Sequence, residues 1–178
     1  MKAVNCEGMS IRAQYEKFSA PGYYARHGAE YRNPHEPIIA EVLKRAAAEW
    51  KLAPGKTLDL ACGSGEATLV LQKLGFDVSG IDPYTGEAYR KRTGLAAEAL
   101  TFAEIAEGAL AGRTYDLIVC SFAMHLVAPS RLPKLLFRLR EVSPALLIVT
   151  PHKRPKIEVV WRLAAEMMHE RVRARLYL

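Results

Sequence analysis

The sequence predicts an α/β fold: a doubly wound, mostly parallel sheet with helices on both faces. Three observations carry that prediction. Short continuous apolar runs, such as Asp-Leu-Ile-Val-Cys-Ser at 116–121 and Ala-Leu-Leu-Ile-Val-Thr at 145–150, alternate with segments of helical period. Strands buried on both faces by crossover helices read this way. A glycine turn, Gly63-Ser64-Gly65, follows the first strand and opens a helix, and an acid, Asp82, ends the second strand.

Each element follows in order. The first ten residues carry no periodic pattern, and Ile11 to Trp50 reads as helix in pieces, broken at Pro21-Gly22 and Asn33-Pro34. The clearest piece is Glu36 to Trp50, with Ile38, Ile39, Val42, Leu43, Ala46 and Ala47 on one face. Ala53-Pro54-Gly55-Lys56 is a turn. Strand Thr57–Ala61, helix Ala67–Leu74 and strand Asp77–Ile81 come next, then a helix from Thr85 to Arg92 and an alanine-rich third strand, Ala97–Thr101. The apolar strand Asp116–Ser121, the amphipathic helix Arg131–Glu141 and the strand Ala145–Thr150 complete the alternation. A helix is expected over Lys156–His169, followed by a single strand within Glu170–Leu178. Right-handed crossovers place ligands at the carboxyl ends of such strands.

The 178 residues suit one domain over 1–178, an N-terminal helical cap (1–50) on an α/β core (51–178). Half the residues are hydrophobic and a quarter charged, as in soluble globular proteins. No apolar run is long enough for a bilayer, so no membrane association is expected. Lys2 has no apolar stretch behind it, which argues against a secretory signal and leaves the cytoplasm as the expected location. Cys6, Cys62 and Cys120 have neither metal-ligand spacing nor an even count, so neither a metal nor a disulfide framework is expected. The net charge is +6, and from Arg131 onward eleven Lys and Arg face four Glu. That excess could meet a phosphate backbone, but its spacing is that of a solvated face, so a nucleic-acid partner is possible and not favoured.

The acid before the glycine turn separates ligand classes. At the positive end of a helix a dinucleotide site wants pyrophosphate, which Asp59 would repel. Thr68, where nicotinamide-binding turns have a third small residue, also fits that reading poorly. A ligand with a cationic amino-acid end welcomes Asp59, and Asp82 stands where such folds present a carboxylate to a ribose diol. An adenosine joined to a sulfonium amino acid meets both demands.

The stretch Asp59-x-Ala61-x-Gly63-x-Gly65, with Gly80-Ile81-Asp82 after it, resembles the class I S-adenosylmethionine-dependent methyltransferases. Their first motif runs acid-x-Gly-x-Gly-x-Gly, and Ala61 replaces the first glycine. The likeness runs from about Thr57 to Pro155. It implies a Rossmann-like core, S-adenosylmethionine as cofactor, and cofactor contacts from Asp59, Ala61, Gly63, Gly65, Asp82, Pro83, Phe102 and Ser121. It also implies an arginine gripping the methionine carboxylate, a role that suits Arg32, since guanidinium pairs with carboxylate bidentately. Tyr24 and Tyr31 are candidates to line the methyl or acceptor cavity.

His125 and His152 follow adjacent strands and are expected to flank the acceptor; with Tyr31 they are the candidate catalytic residues. A loop histidine that only bonds a carbonyl stands as the alternative for each. Ser121–Met124 holds no proline, unlike the tetrapeptide of enzymes that methylate adenine or cytosine amino groups. The resemblance therefore implies a methyltransferase, with a small-molecule acceptor favoured. An RNA or protein acceptor on the basic C-terminal face, and a catalytically silent cofactor binder, stay open. The family closes its sheet with a hairpin, and here that hairpin is expected to be shortened to one strand. An edge so exposed could pair with a second copy, leaving monomer and homodimer both open.

Overall fold

The structure is a computed structural model that describes Gly28 and residues 31–178. The elements are α1 (Glu36–Glu49), β1 (Lys56–Leu60), α2 (Glu66–Lys73), β2 (Asp77–Ile81), α3 (Gly86–Thr93), β3 (Ala97–Glu98), α4 (Phe102–Ala106), β4 (Leu117–Ser121), α5 (Leu132–Val142), β5 (Leu146–Thr150), β6 (Leu163–His169) and β7 (Val172–Tyr177). They build one seven-stranded sheet in the order β3-β2-β1-β4-β5-β7-β6. β1 to β5 are parallel, and β7 enters antiparallel to both β5 and β6. The order reverses direction between β1 and β4, which opens a crevice at their carboxyl ends.

Successive residues of the central strands feed opposite cores, as the pleat requires. Ile118, Cys120, Leu146 and Ile148 pack with Ile105 of α4 and Leu135 and Leu139 of α5. Leu117, Val119, Leu147 and Val149 pack with Ile39, Val42 and Leu43 of α1 and Leu71 of α2. Both faces are covered, and this is why the strands read as unbroken apolar runs. Each such fully buried aliphatic side chain contributes about 1.5–3 kcal/mol of transfer free energy. No helix among the described residues is long and apolar enough to cross a membrane.

Three expectations need correction. Leu163–His169 is a strand and not part of a helix, so the C-terminal hairpin is complete rather than shortened. Its Ala, Glu, Leu and Met content favours helix locally, but β7 offers a free edge whose pairing outweighs propensity. The turn between β6 and β7, Glu170-Arg171, holds no glycine although Glu170 has φ 53°, so no hairpin turn signal was there to read. With two strands present, a dimer can no longer be argued from a truncated edge. The third strand spans Ala97–Glu98 alone, because Thr101 leaves the sheet to cap α4. The Thr101 hydroxyl accepts from the Glu104 N–H while the Glu104 carboxylate accepts from the Thr101 N–H, a capping box legible as Thr-x-x-Glu.

Candidate functional site

β1 runs into a turn in which Ala61 (φ 59°), Gly63 (φ 55°) and Gly65 (φ 90°) all take the left-handed conformation. A methyl group on Gly65 would strike the side chain of Thr93 and press the ring of Tyr89, so glycine lets α3 pack against the turn. On Gly63 it would stand 3.3 Å from both the Tyr31 ring and Glu66 Oε2, inside the crevice. Ala61 holds its left-handed backbone with a Cβ, at a cost of about 1–2 kcal/mol.

The crevice holds a cleft of about 210 Å³. At about 30 Å³ per water in the liquid it takes about seven waters, which suits a ligand of several groups rather than an ion. Ala61 and Gly63 of the turn, Asp82 and Pro83 after β2, and Phe102 and Ile105 of α4 all line it. Ser121, Phe122 and Leu126 bring in the end of β4, and Tyr31 reaches in from the segment before α1. Phe122 carries φ 55°, a left-handed turn at the strand end, and its ring stacks on His35 with centroids 5.1 Å apart.

Asp82 is fixed entirely by backbone donors. Its Oδ1 accepts from the N–H groups of Tyr84 (2.9 Å) and Thr85 (3.0 Å), and its Oδ2 accepts from the Gly63 N–H at 3.2 Å. Of about four acceptor positions on a carboxylate, three are taken, and the open one lies on Oδ2, the oxygen shared with the turn. The Thr85 hydroxyl donates to the Gly63 carbonyl at 2.7 Å, tying the same two loops a second time.

Asp59 is fully buried and does not line the cleft. Its Oδ2 accepts from both the N–H (3.0 Å) and the hydroxyl (2.7 Å) of Thr68, and that hydroxyl lies 3.1 Å from the Tyr89 hydroxyl. Thr68 sits in the first turn of α2, so the acid caps the positive end of the helix from below. Oδ1 has no partner among the described residues. Burial pushes the carboxyl up to about 7, against the pull of the Thr68 bonds. Burial likewise pushes the thiols of Cys62 and Cys120 upward, so neither is primed as a nucleophile.

The sequence reading passed over Glu66 and Arg92. Glu66 opens α2, is buried, and lines the cleft. Its Oε1 accepts from Arg92 (2.9 Å), from the Ser64 hydroxyl, and from the Asn33 N–H (3.2 Å). Arg92 also reaches Glu36 of α1 at 2.5 Å, so one guanidinium ties α1, α2 and α3 together around the turn. Position was the available signal for Glu66, the first helical residue after the glycines. Arg92 gave none, because its partners lie 26 and 56 residues away.

Arg32 is exposed and stands outside the cleft lining. Tyr24 lies outside the described residues. His125 and His152 meet, with ring centroids 4.1 Å apart and planes tilted by 40°, yet neither lines the cleft. His125 belongs to a short 3-10 turn, Met124–Leu126, whose last residue does line it. Burial first, and the neighbouring His152 second, lower the His125 pKa to about 4, so its ring is neutral near pH 7. No metal-binding group of three or more His, Cys, Asp or Glu occurs among the described residues.

The model of a methyltransferase domain matches residues 29–174. An uncharacterized protein of Schizosaccharomyces pombe is 29% identical over 182 residues, covering 78% of this chain and 74% of its own. Among solved structures, the magnesium protoporphyrin IX methyltransferase of Synechocystis PCC 6803, crystallised with S-adenosylmethionine, superposes with a TM-score of 0.60 at 15% identity. That match covers 93% of this chain and 94% of that one. A Pyrococcus horikoshii protein gives 0.59 at 16% identity, over 94% and 99% of the two chains.

Proposed function

The chain belongs to the methyltransferase-domain family and is an S-adenosylmethionine-dependent class I methyltransferase, and from that premise we propose a small-molecule acceptor that meets the cofactor at the carboxyl end of β4. The residues present fit the cofactor. Asp82, held by three backbone N–H groups, keeps one acceptor position for a ribose hydroxyl, and this observation carries the assignment. Phe102 and Pro83 offer apolar walls to the adenine. Glu66 Oε2, beside the open face of Gly63, answers the ammonium group, with Asp59 holding the first turn of α2 in place beneath it through Thr68. That division replaces the simpler idea of Asp59 as a direct contact.

When bound, S-adenosylmethionine supplies a methyl group on a sulfonium, ready for in-line displacement by an electron pair of the acceptor. The chain's task is then to align the two and exclude water. Ser121 and Phe122 mark the end of β4, Leu126 forms an exposed apolar lip, and Tyr31 stands over Gly63. The His125–His152 pair lies beside this mouth, and the exposed ring of the two, His152, is the one placed to take up a proton that the acceptor releases. A mouth bounded by the apolar side chains of Phe122, Leu126 and Tyr31 supports a small molecule.

Calorimetric titration with S-adenosylhomocysteine tests the site. Asp82→Asn places an amide donor against a backbone donor, and it should weaken binding at least about tenfold, or about 1.4 kcal/mol. Equal affinity in the two proteins would remove Asp82 from the cofactor site. Homocysteine release in a screen of small acceptors then reads the second half of the proposal.

A further inference from the structure

The loop after β5 concentrates charge that the cleft does not use. His152, Lys153, Arg154 and Lys156 are all exposed, with only Pro155 between them. Elsewhere in the C-terminal half several cations are spent: Lys134 on Glu107, Arg138 on Glu141, and Arg173 and Arg175 on Glu166. Arg140 lies over the Trp161 ring and donates to the Pro144 carbonyl. Lys153, Arg154 and Lys156 form no ion pair with any described residue.

The loop is also held in place. Arg175 of β7 is buried, and its Nη1 donates to the carbonyls of Lys153 (3.2 Å) and Pro155 (3.3 Å) while its Nε binds Glu166 at 3.0 Å. A buried guanidinium thus satisfies the loop's carbonyls and compensates its own charge with Glu166. The neighbouring carboxylate is occupied, so the side chains of 153, 154 and 156 keep their charge for another anion. His152, at the start of the loop, abuts His125, and Leu126 next to it lines the cleft. His152, the first residue of the basic loop, is therefore separated from the cleft-lining Leu126 only by the His125 ring.

We propose that His152–Lys156 is the anion-binding wall of the acceptor site, and that the acceptor is a small molecule bearing a phosphate or carboxylate group. This rests on the methyltransferase reading above. A compact ligand is favoured over nucleic acid because Lys153, Arg154 and Lys156 sit within one short stretch, while Arg131, Arg162 and Arg171, also without an ion pair among the described residues, stand on three other segments. Such a stretch is at most about 18 Å long when extended. The ion pairs of Lys134, Arg138, Arg173 and Arg175 leave fewer free cations to follow a phosphate backbone.

The test uses the full chain saturated with S-adenosylhomocysteine and a variant combining Lys153→Ala, Arg154→Ala and Lys156→Ala. Pyrophosphate, citrate and a short mixed-sequence RNA are titrated separately, by calorimetry and by the histidine ring resonances. Pyrophosphate or citrate should bind the parent, shift the His152 and His125 resonances but not that of His35, and bind the variant roughly tenfold or more weakly. Which of the two binds tells phosphate from carboxylate. S-adenosylhomocysteine affinity and thermal midpoint should be the same in both proteins. Equal anion binding by parent and variant, no binding of either small anion, or tighter binding of RNA than of both would overturn the proposal. Failure of the parent to bind S-adenosylhomocysteine would instead strike the methyltransferase reading, a distinguishable result.

Discussion

Thr68 donates both its backbone N–H and its hydroxyl to one oxygen of Asp59, at 3.0 and 2.7 Å, across the floor of the glycine turn. The residue that makes a nicotinamide site improbable in the sequence is thus the partner of the acid that points to a sulfonium cofactor. The pair joins the end of β1 to the first turn of α2, and so fixes the height of the turn on which the cofactor rests.

Asp59 gives the first prediction, a pH dependence of stability. Its carboxyl titrates near 7 in the folded chain, against about 3.9 unfolded. The folded state therefore holds this proton more tightly. Its contribution is complete below about pH 4 and declines as pH rises to about 7, by an amount on the order of 4 kcal/mol. Asp59→Asn keeps an acceptor for Thr68 and removes the titration. Urea unfolding of both proteins from pH 4.5 to 8 should show the parent losing stability relative to the variant as pH rises. Parallel profiles would mean that Asp59 is charged in the fold.

Ala61 gives the second. It holds φ 59° with a side chain, where the related motif has glycine. Ala61→Gly removes a left-handed cost of about 1–2 kcal/mol and adds back about 0.4–1 kcal/mol of unfolded-chain entropy. The net gain should be about 0.5–1 kcal/mol, or a rise of a few degrees in thermal midpoint at this chain length. A lower midpoint would show that the Ala61 methyl makes packing contacts worth more than the strain.

Legibility followed sequence distance. Strands β1, β2, β4 and β5 could be read because burial on both faces leaves an unbroken apolar run, a local signal. Gly63, Gly65 and Asp82 could be read because turn chemistry and a strand end are local too. Arg92 could not, since it matters only through Glu36 and Glu66, which the fold brings to it. β6 could not, since its partner β7 decides its conformation against its own propensity. Arg32 shows the converse case: the residue type suits the role, and only the fold shows that its place before α1 leaves it exposed.

Arg92 gives the third prediction. Arg92→Met leaves the buried Glu66 carboxylate without its cation, which should cost about 3–5 kcal/mol. Adding Glu66→Gln to that variant should recover a large part of the loss, because the stranded charge is then gone. A double-mutant cycle by urea unfolding measures the coupling. Additive losses would mean that Glu66 is neutralised some other way, and they would also weaken its assignment to the cofactor's ammonium group.

His125 gives the fourth. Its ring is partly buried against His152, its Nδ1 has no partner among the described residues, and its pKa is lowered to about 4 by burial, then by His152. A histidine with a lowered folded pKa stabilises above its unfolded pKa of about 6.5 and loses that contribution as pH falls towards 4. In a titration followed by ring proton resonances, His125 should therefore stay neutral from pH 8 down to about 5. His152→Ala should raise the His125 midpoint only modestly, since burial is the larger cause. A His125 midpoint near 6.5 in the parent would mean that the ring is hydrated, and it would free His125 to act as a base in direct contact with the acceptor.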